Sequence, residues 1–289
     1  MSNSVHLDPT RKHDFVLLFD VTDGNPNGDP DGAGTPRTDP ETMQGLVTDV
    51  AIKRKIRNTV ALLGDGKPGT DIYVEAGVSL NSQHERAYTE LQLPDDKTSE
   101  PAARDWMCRT FYDVRMFGAV MSTGTKTAGR VQGPLQLTFA RSIHPVLAQE
   151  HGITRVTRTR EDDTKQTEMG SKHTIPYGLY RAIGHFSAPL AHKTGVTSDD
   201  LALLWRAITL MFEHDRSATR GEMTLRGLYI YTHHDGYGTA PAHTLTDTVH
   251  ITPGPHDTPA HPIRSITDYT ITINETTIPN AVTLTRIIG

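Results

Sequence analysis

The sequence predicts an α+β protein with a ferredoxin-like core, on three observations. A continuous apolar run near the start reads as a buried strand. Two later stretches carry apolar residues at helical spacing. Around them lie β-rich segments, giving the order strand, helix, strand, helical insertion, strand, hairpin, helix, strand, which a βαββαβ core with two insertions accommodates. The chain has 289 residues, 36% of them hydrophobic, enough to bury a substantial core. No internal repeat or long linker divides it, so residues 1–289 read as a single domain.

Residues 15–21 (FVLLFDV) supply the first strand. Residues 23–45 (DGNPNGDPDGAGTPRTDPETMQG) cannot form a continuous helix, because Pro26, Pro30, Pro36 and Pro40 remove donors while the glycines admit positive φ. A loop this long in a compact domain is uncommon and often functional. Residues 46–63 predict a helix, with Val50, Ile52, Ile56, Val60 and Leu63 near a 3.6-residue period and Gly64 as the stop. Residues 71–80 (DIYVEAGVSL) predict a strand. Residues 82–122 predict a mostly helical stretch broken by Pro94 and Pro101, with one helix over 102–117. Residues 124–133 form a second glycine-rich loop, and 135–147 read as extended. Residues 152–186 predict a long hairpin with a polar tip. Residues 197–212 predict an amphipathic helix, N-capped by Thr197 or Ser198 with Asp199 and Asp200 in its first turn. Residues 225–232 (LRGLYIYT) predict a strand, and short strands are expected near 246–252 and 266–274.

Composition excludes several classes. No apolar run approaches the ~20 residues a membrane-spanning helix needs. The polar start MSNSVHLDPTRKHD does not read as a secretory leader, so a cytoplasmic location without a membrane partner is expected. The single cysteine, Cys108, rules out an intrachain disulfide framework and argues against thiolate zinc clusters. A net charge of -5 argues against a uniformly basic nucleic-acid binder. Screening beyond ~8–10 Å nevertheless leaves room for a local basic strip. Aromatics are only 6%, so base stacking cannot dominate contact with a large polymer.

The sharpest cluster is KRKIR, 53–57. Lys53 and Arg57 are four apart and share a helix face with Arg54 beside them. With stems along the apolar stripe and heads outward, they would match successive phosphates. The competing reading is a solvated helix face. Position favours binding, because the helix follows the long loop and its cations sit mid-helix, away from the last turn where dipole compensation would explain them. The loop opening DGNPNG resembles the start of a calcium loop, but its twelfth position is Gly34. Asp29, Asp31 and Asp39 are candidates for holding an ion or for acid–base work, with turn formation as the competing role. In 124–133, Lys126 and Arg130 sit among glycines that let backbone approach phosphates, without a Walker ending. Arg155, Arg158, Arg160, Lys165 and Lys172 make the hairpin basic, with Met169 as an apolar tip. His84-Glu85-Arg86 and 213–216 (EHDR) fit no metal or nucleophile pattern, and the latter reads as a capping and ion-pair network. No metal or cofactor is expected.

Taken in order, FVLLFDVTDGNPNGDPDG, PRTDPETMQGLVTDVAIKRKIRN, DWMCRTFYDVRMFGAVM, GPLQLTFARSIHPV, MGSKHTIPYGLY and MFEHDRSATRG resemble the CRISPR-associated backbone subunit of Cascade, subtype I-C, in the Csd/Csh branch of the repeat-associated RNA-binding superfamily. The resemblance covers about residues 15–231 and not the segment after His233. It implies a hand: a ferredoxin-like (RRM-like) palm, helical fingers at 81–123 and a β-hairpin thumb at 151–175. It implies a non-catalytic subunit that lines a CRISPR guide RNA as a helical filament, holding the sugar-phosphate backbone while exposed bases pair with a target DNA strand. Implied partners are further copies of itself and the 5′-end guide-processing, large and small subunits. Implied RNA contacts are Arg37, Thr38, Lys53, Arg54, Arg57, Arg130, Gln132, Met169 and Lys172. Reversing Lys53 and Arg57 to Glu is expected to abolish guide loading and leave the fold intact. The alternative is a metal-dependent endoribonuclease working through the Asp-rich loop 23–39, as some type III relatives cut RNA.

Overall fold

The computed structural model describes residues 4–157, 168–254 and 262–289. Its elements are β1 (His13–Gly24), β2 (Gly28–Asp29), β3 (Thr35–Pro36), β4 (Gln44–Val47), α1 (Asp49–Gly64), α2 (Leu80–Leu91), α3 (Glu100–Thr110) and α4 (Tyr112–Phe117). There follow β5 (Gly118–Met121), β6 (Gly129–Gln132), β7 (Leu135–Leu137), β8 (Ala140–Pro145), β9 (Gln149–Arg155), β10 (Glu168–Phe186), α5 (Ala188–Thr194) and α6 (Ser198–Leu210). The remainder is β11 (Glu222–His233), α7 (Ala242–Thr246), β12 (Val249–Pro253), β13 (Tyr269–Ile273) and β14 (Val282–Ile288). The architecture is a mixed α/β fold around a central antiparallel sheet of order β14-β11-β1-β10-β8-β4, with β7 and β9 also pairing β10.

β1 is apolar without alternation because both of its faces are covered. Phe15, Leu17, Phe19 and Val21 pack with Ile52, Ile56 and Val60 of α1 and Leu201, Leu204 and Ile208 of α6. Val16 and Leu18 face the other way, into a second core with Tyr229, Tyr231, Leu245, Val249 and Val282. The chain after β11 therefore covers the sheet face opposite the helices. β1 lies so close to β10 that a Cβ on Gly184 would run into the Phe15 ring. A separate core inside 71–131 joins Tyr73, Tyr88, Trp106, Met107, Phe111 and Val131.

Several expectations need correction. The helix expected over 46–63 begins at Asp49, because Thr48 is its N-cap, accepting from Ala51 N–H at 3.2 Å, while Leu46 and Val47 pair with β8. Val50 is 66% exposed and outside the buried stripe. Residues 71–80 are not a strand: the Tyr73 and Val74 N–H groups donate to the Asp113 carboxylate at 2.8 and 3.1 Å, and the Asp71 carbonyl accepts from Tyr112. A buried side chain thus does the work of a neighbouring strand. The helix over 102–117 splits at Phe111, whose extended backbone (φ -102°, ψ 115°) and full burial turn the chain between α3 and α4. Residues 129–132 of the second glycine loop are strand, since β6 pairs β5. The hairpin is the far end of the long strand β10, which pairs β9 over 168–174 and then runs into the central sheet. Its expected tip, with Arg158, Arg160 and Lys165, lies outside the described residues. α6 is capped by Thr197 and Asp200 in a reciprocal capping box. β12 overlaps the expected 246–252, β13 lies within the expected 266–274, and the two pair with each other. Among the described residues, no helix is long and apolar enough to cross a membrane.

Candidate nucleic-acid interface

The long loop after β1 is an ordered structure anchored at both ends. Gly24 passes so close to the Arg220 backbone that a side chain there would collide with it, and Asn25 N–H donates to the Thr219 carbonyl at 2.8 Å. Asn25 Nδ2 donates to the Gly34 carbonyl at 2.7 Å, closing a small hairpin whose arms are β2 and β3. Asn27 Oδ1 accepts from Thr48 N–H at 2.9 Å, tying the loop to the start of α1. Across from it runs the segment joining α6 to β11. Between them opens a groove of about 630 Å³ lined by Asn25, Asn27, Arg54, Lys55, Asp215 and Arg220.

Three cations in that lining face one carboxylate. Lys55 is buried and ion-paired with Asp215; burial pushes its ammonium pKa down, against the pull of Asp215. Arg220 Nη1 lies 3.3 Å from Asp215 Oδ1. Arg54 Nη1 donates to the Val74 carbonyl at 2.7 Å, and among the described residues no carboxylate pairs with it. The groove is thus net positive in a chain that is net negative.

The predicted cationic ridge does not stand outward as a row. Lys53 Nζ reaches Asp49 Oδ2 at 3.1 Å and Gln136 Oε1 at 3.2 Å. Arg57 Nε donates to Asp113 Oδ2 at 2.7 Å, and its guanidinium lies 5.0 Å from the Phe117 ring centre. Their side chains are only 12% and 11% exposed. The apolar stripe of α1 packs on the sheet, and its flanking cations are drawn to α4. Reversing Arg57 would set two buried carboxylates together at Asp113, so an intact fold is no longer the expected outcome.

Arg37 and Thr38 follow β3; Arg37 Nη1 lies 3.4 Å from Asp29 Oδ1, and Thr38 bridges to Gly45. Arg130 and Gln132 are exposed on β6 and alternate with buried Gly129 and Val131, beside the 69%-exposed Val120 on β5. On the β9–β10 hairpin Met169 is 86% exposed, and the half-buried Lys172 sits opposite His151. The structure therefore brings Arg54 and the 23–38 loop together, and sets Arg130, Gln132, Met169 and Lys172 on two separate projections.

The loop aspartates act in turns. Asp29 pairs with Arg37 and accepts from Asp31 N–H. Asp39 accepts from Arg141 at 2.8 Å and from the Glu41 and Thr42 N–H groups, and these bonds, Arg141 first, hold its carboxyl below the usual range. Among the described residues no three His, Cys, Asp or Glu side chains gather as a metal-binding group. His84 is buried against Tyr73, Nε2 to hydroxyl 2.7 Å, and Arg86 pairs with Asp71. Arg216 bridges Glu213 and Glu222, the ion-pair network expected there. Sequence reasoning missed Asn25, Lys55 and Arg220 as groove residues. Lys55 was visible inside KRKIR, and Arg220 lies at the end of MFEHDRSATRG, but only the fold joins them.

These features describe a mixed α/β chain with a cation-lined groove at one end of a doubly covered sheet. The family model for CRISPR-associated protein Cas7 matches residues 11–274. The chain belongs to the Cas7 family. A curated relative, the CRISPR-associated protein Cas7 of Haloferax volcanii, is 26% identical over 222 residues, covering 68% of this chain and 64% of that protein. The chain thus spans just under two thirds of that relative's length. Among solved structures, a chain of a pre-nicking CRISPR RNA-guided surveillance complex has TM-score 0.49 at 18% identity, covering 76% of this chain and 75% of that one. A chain of another CRISPR RNA-guided surveillance complex has TM-score 0.46 at 15% identity, covering 76% and 68%.

Proposed function

We propose that this chain binds a CRISPR guide RNA along its sugar-phosphate backbone and repeats along it as the helical backbone of a type I-C Cascade-like complex. The observation that carries the reading is the net-positive groove between the 23–38 loop and the α6–β11 segment. A guide of arbitrary sequence must be held through phosphate and sugar, with base edges left free for a target DNA strand. Arg54 and Arg220 supply the phosphate contacts, buried Lys55 adds positive charge behind them through its pair with Asp215, Arg37 and Thr38 continue the path, and Lys53 and Arg57 fix α1 against α4 behind it. The strand order β11-β1-β10-β8, with α1 and α6 in the two crossovers, supports a ferredoxin-like palm. On this reading 81–123 are fingers carrying Arg130 and Gln132 at their base, and 151–175 are a thumb with Met169 and Lys172, reaching the next copy. The 5′-end guide-processing, large and small subunits complete the assembly, in the cytoplasm and without catalysis by this chain.

The test is a filter-binding titration of single-stranded RNA across salt, comparing the unaltered chain with Arg54→Glu/Arg220→Glu. Each lost phosphate contact on a single strand removes roughly 0.7 from the log–log salt slope. The double variant should bind at least ~10-fold more weakly at low salt, with a slope shallower by about 1.4. Unchanged affinity and slope would remove the groove as the RNA path.

A further inference from the structure

The groove wall contains a buried acceptor that no donor among the described residues reaches. Asn25 is 6% exposed, and its Oδ1 makes no hydrogen bond. Its orientation is set, because Nδ2 donates to the Gly34 carbonyl at 2.7 Å, and turning the amide over would put two oxygens together. A buried acceptor left unpaired forfeits its hydration with nothing in return, so a partner is expected for it. Asn25 lines the groove beside Gly28 and Gly34, which present only backbone, and shares that lining with Arg54, Lys55 and Arg220.

We propose that Asn25 is the residue by which this groove tells ribose from deoxyribose, its Oδ1 accepting the 2′-hydroxyl of the nucleotide whose phosphate sits among those cations. The proposal rests on the RNA-binding reading above. An orphaned acceptor selects a ligand that offers a donor. Phosphate diesters offer none, and the donors on base edges change with sequence. The 2′-hydroxyl is a donor present on every ribonucleotide and absent from DNA.

The experiment is fluorescence anisotropy with the full chain and labelled oligo-U and oligo-dU of equal length, repeated with oligo-A and oligo-C. One neutral hydrogen bond predicts a preference of roughly 3–10-fold for oligo-U over oligo-dU. Asn25→Ala should lose that preference, its oligo-U to oligo-dU affinity ratio falling to about 1 whatever the loosened loop does to absolute affinity. Asn25→Asp breaks the same bond to Gly34 but retains an acceptor, so its ratio of affinities should stay near that of the unaltered chain, separating a loosened loop from a lost sugar contact. Equal binding of oligo-U and oligo-dU by the unaltered chain overturns the proposal without any variant, and leaves the RNA reading standing. So does an Asn25→Ala ratio that stays high, or an Asn25-dependent ranking of oligo-A, oligo-C and oligo-U, which would mean base reading. Failure of the unaltered chain to bind any of these oligonucleotides overturns the proposal and the RNA reading together.

Discussion

His13 is placed to remain neutral. It is fully buried, Nδ1 lies 3.0 Å from the Thr232 hydroxyl, and Nε2 lies 2.9 Å from the Asp8 carbonyl, so the neutral ring is satisfied at both nitrogens. Burial pulls its pKa down from 6.5 to about 4. Because the folded value lies below the unfolded one, the unfolded chain takes up the proton first as pH falls. The stability held at pH 7 is then lost between about 6.5 and 4, up to about 3 kcal/mol from this group. His13→Gln, which cannot take the proton, should flatten that window; urea midpoints at pH 7.5 and 4.5 for both proteins measure it. Neighbouring Asp14 acts later on the same descent: burial alone would raise its carboxyl, but hydrogen bonds from His185, His233 and Lys12 outweigh burial and hold it well below the usual range. None of this was readable in the sequence, where HLDPTRKHD is only part of a polar start. The same blindness hid Asn25 from the candidate site, because an orphaned acceptor exists only once Gly34 and Thr219 have been brought to it.

At the scale of elements, sequence was most informative where one periodicity ran against one partner. β1, α6 and β11 follow from apolar spacing and caps alone, since each buries a face against the main core. It failed where side chains replaced regular neighbours, as at 71–80, where Asp113 holds the backbone, and at Phe111. It also failed at the start of α1, because Leu46 and Val47 suit a strand and a helix equally and only pairing with β8 decides between them. Thr48 is the hinge of that decision, its hydroxyl capping α1 while its N–H is held by Asn27 Oδ1. Thr48→Ala removes only the hydroxyl, so about 1 kcal/mol of stability should be lost. The loop stays attached through the remaining N–H bond, so RNA affinity should fall no more than ~2-fold. Paired denaturation and binding curves check both halves of that expectation.

Across the whole molecule, the central sheet is packed on both sides, and this decides where a polymer can lie. Cores of this strand order in RNA-recognition domains stack bases on aromatic side chains of the open sheet face. Here the corresponding face is shut: Tyr229 and Tyr231 pack under α7 and β12, and Tyr177 under Ile263 and Tyr269. The Tyr231 hydroxyl is 2.6 Å from Thr248 Oγ1, a bond wholly inside the protein. On the proposed reading, recognition is displaced to the end of the sheet, where the 23–38 loop and the α6–β11 segment meet, and to the exposed residues around Arg130 and Met169. That displacement also reconciles a net charge of -5 with an anionic polymer, because only the groove need be positive within a screening length. Tyr231→Phe separates the two arrangements. It deletes one buried hydrogen bond, so stability should drop by about 1 kcal/mol. If binding runs through the groove, oligo-U affinity and its salt slope should both be unchanged, since nothing on the covered face touches the strand. A loss of affinity larger than the change in folded fraction would place the RNA on the sheet after all, and would require the chain beyond β11 to swing away when RNA binds.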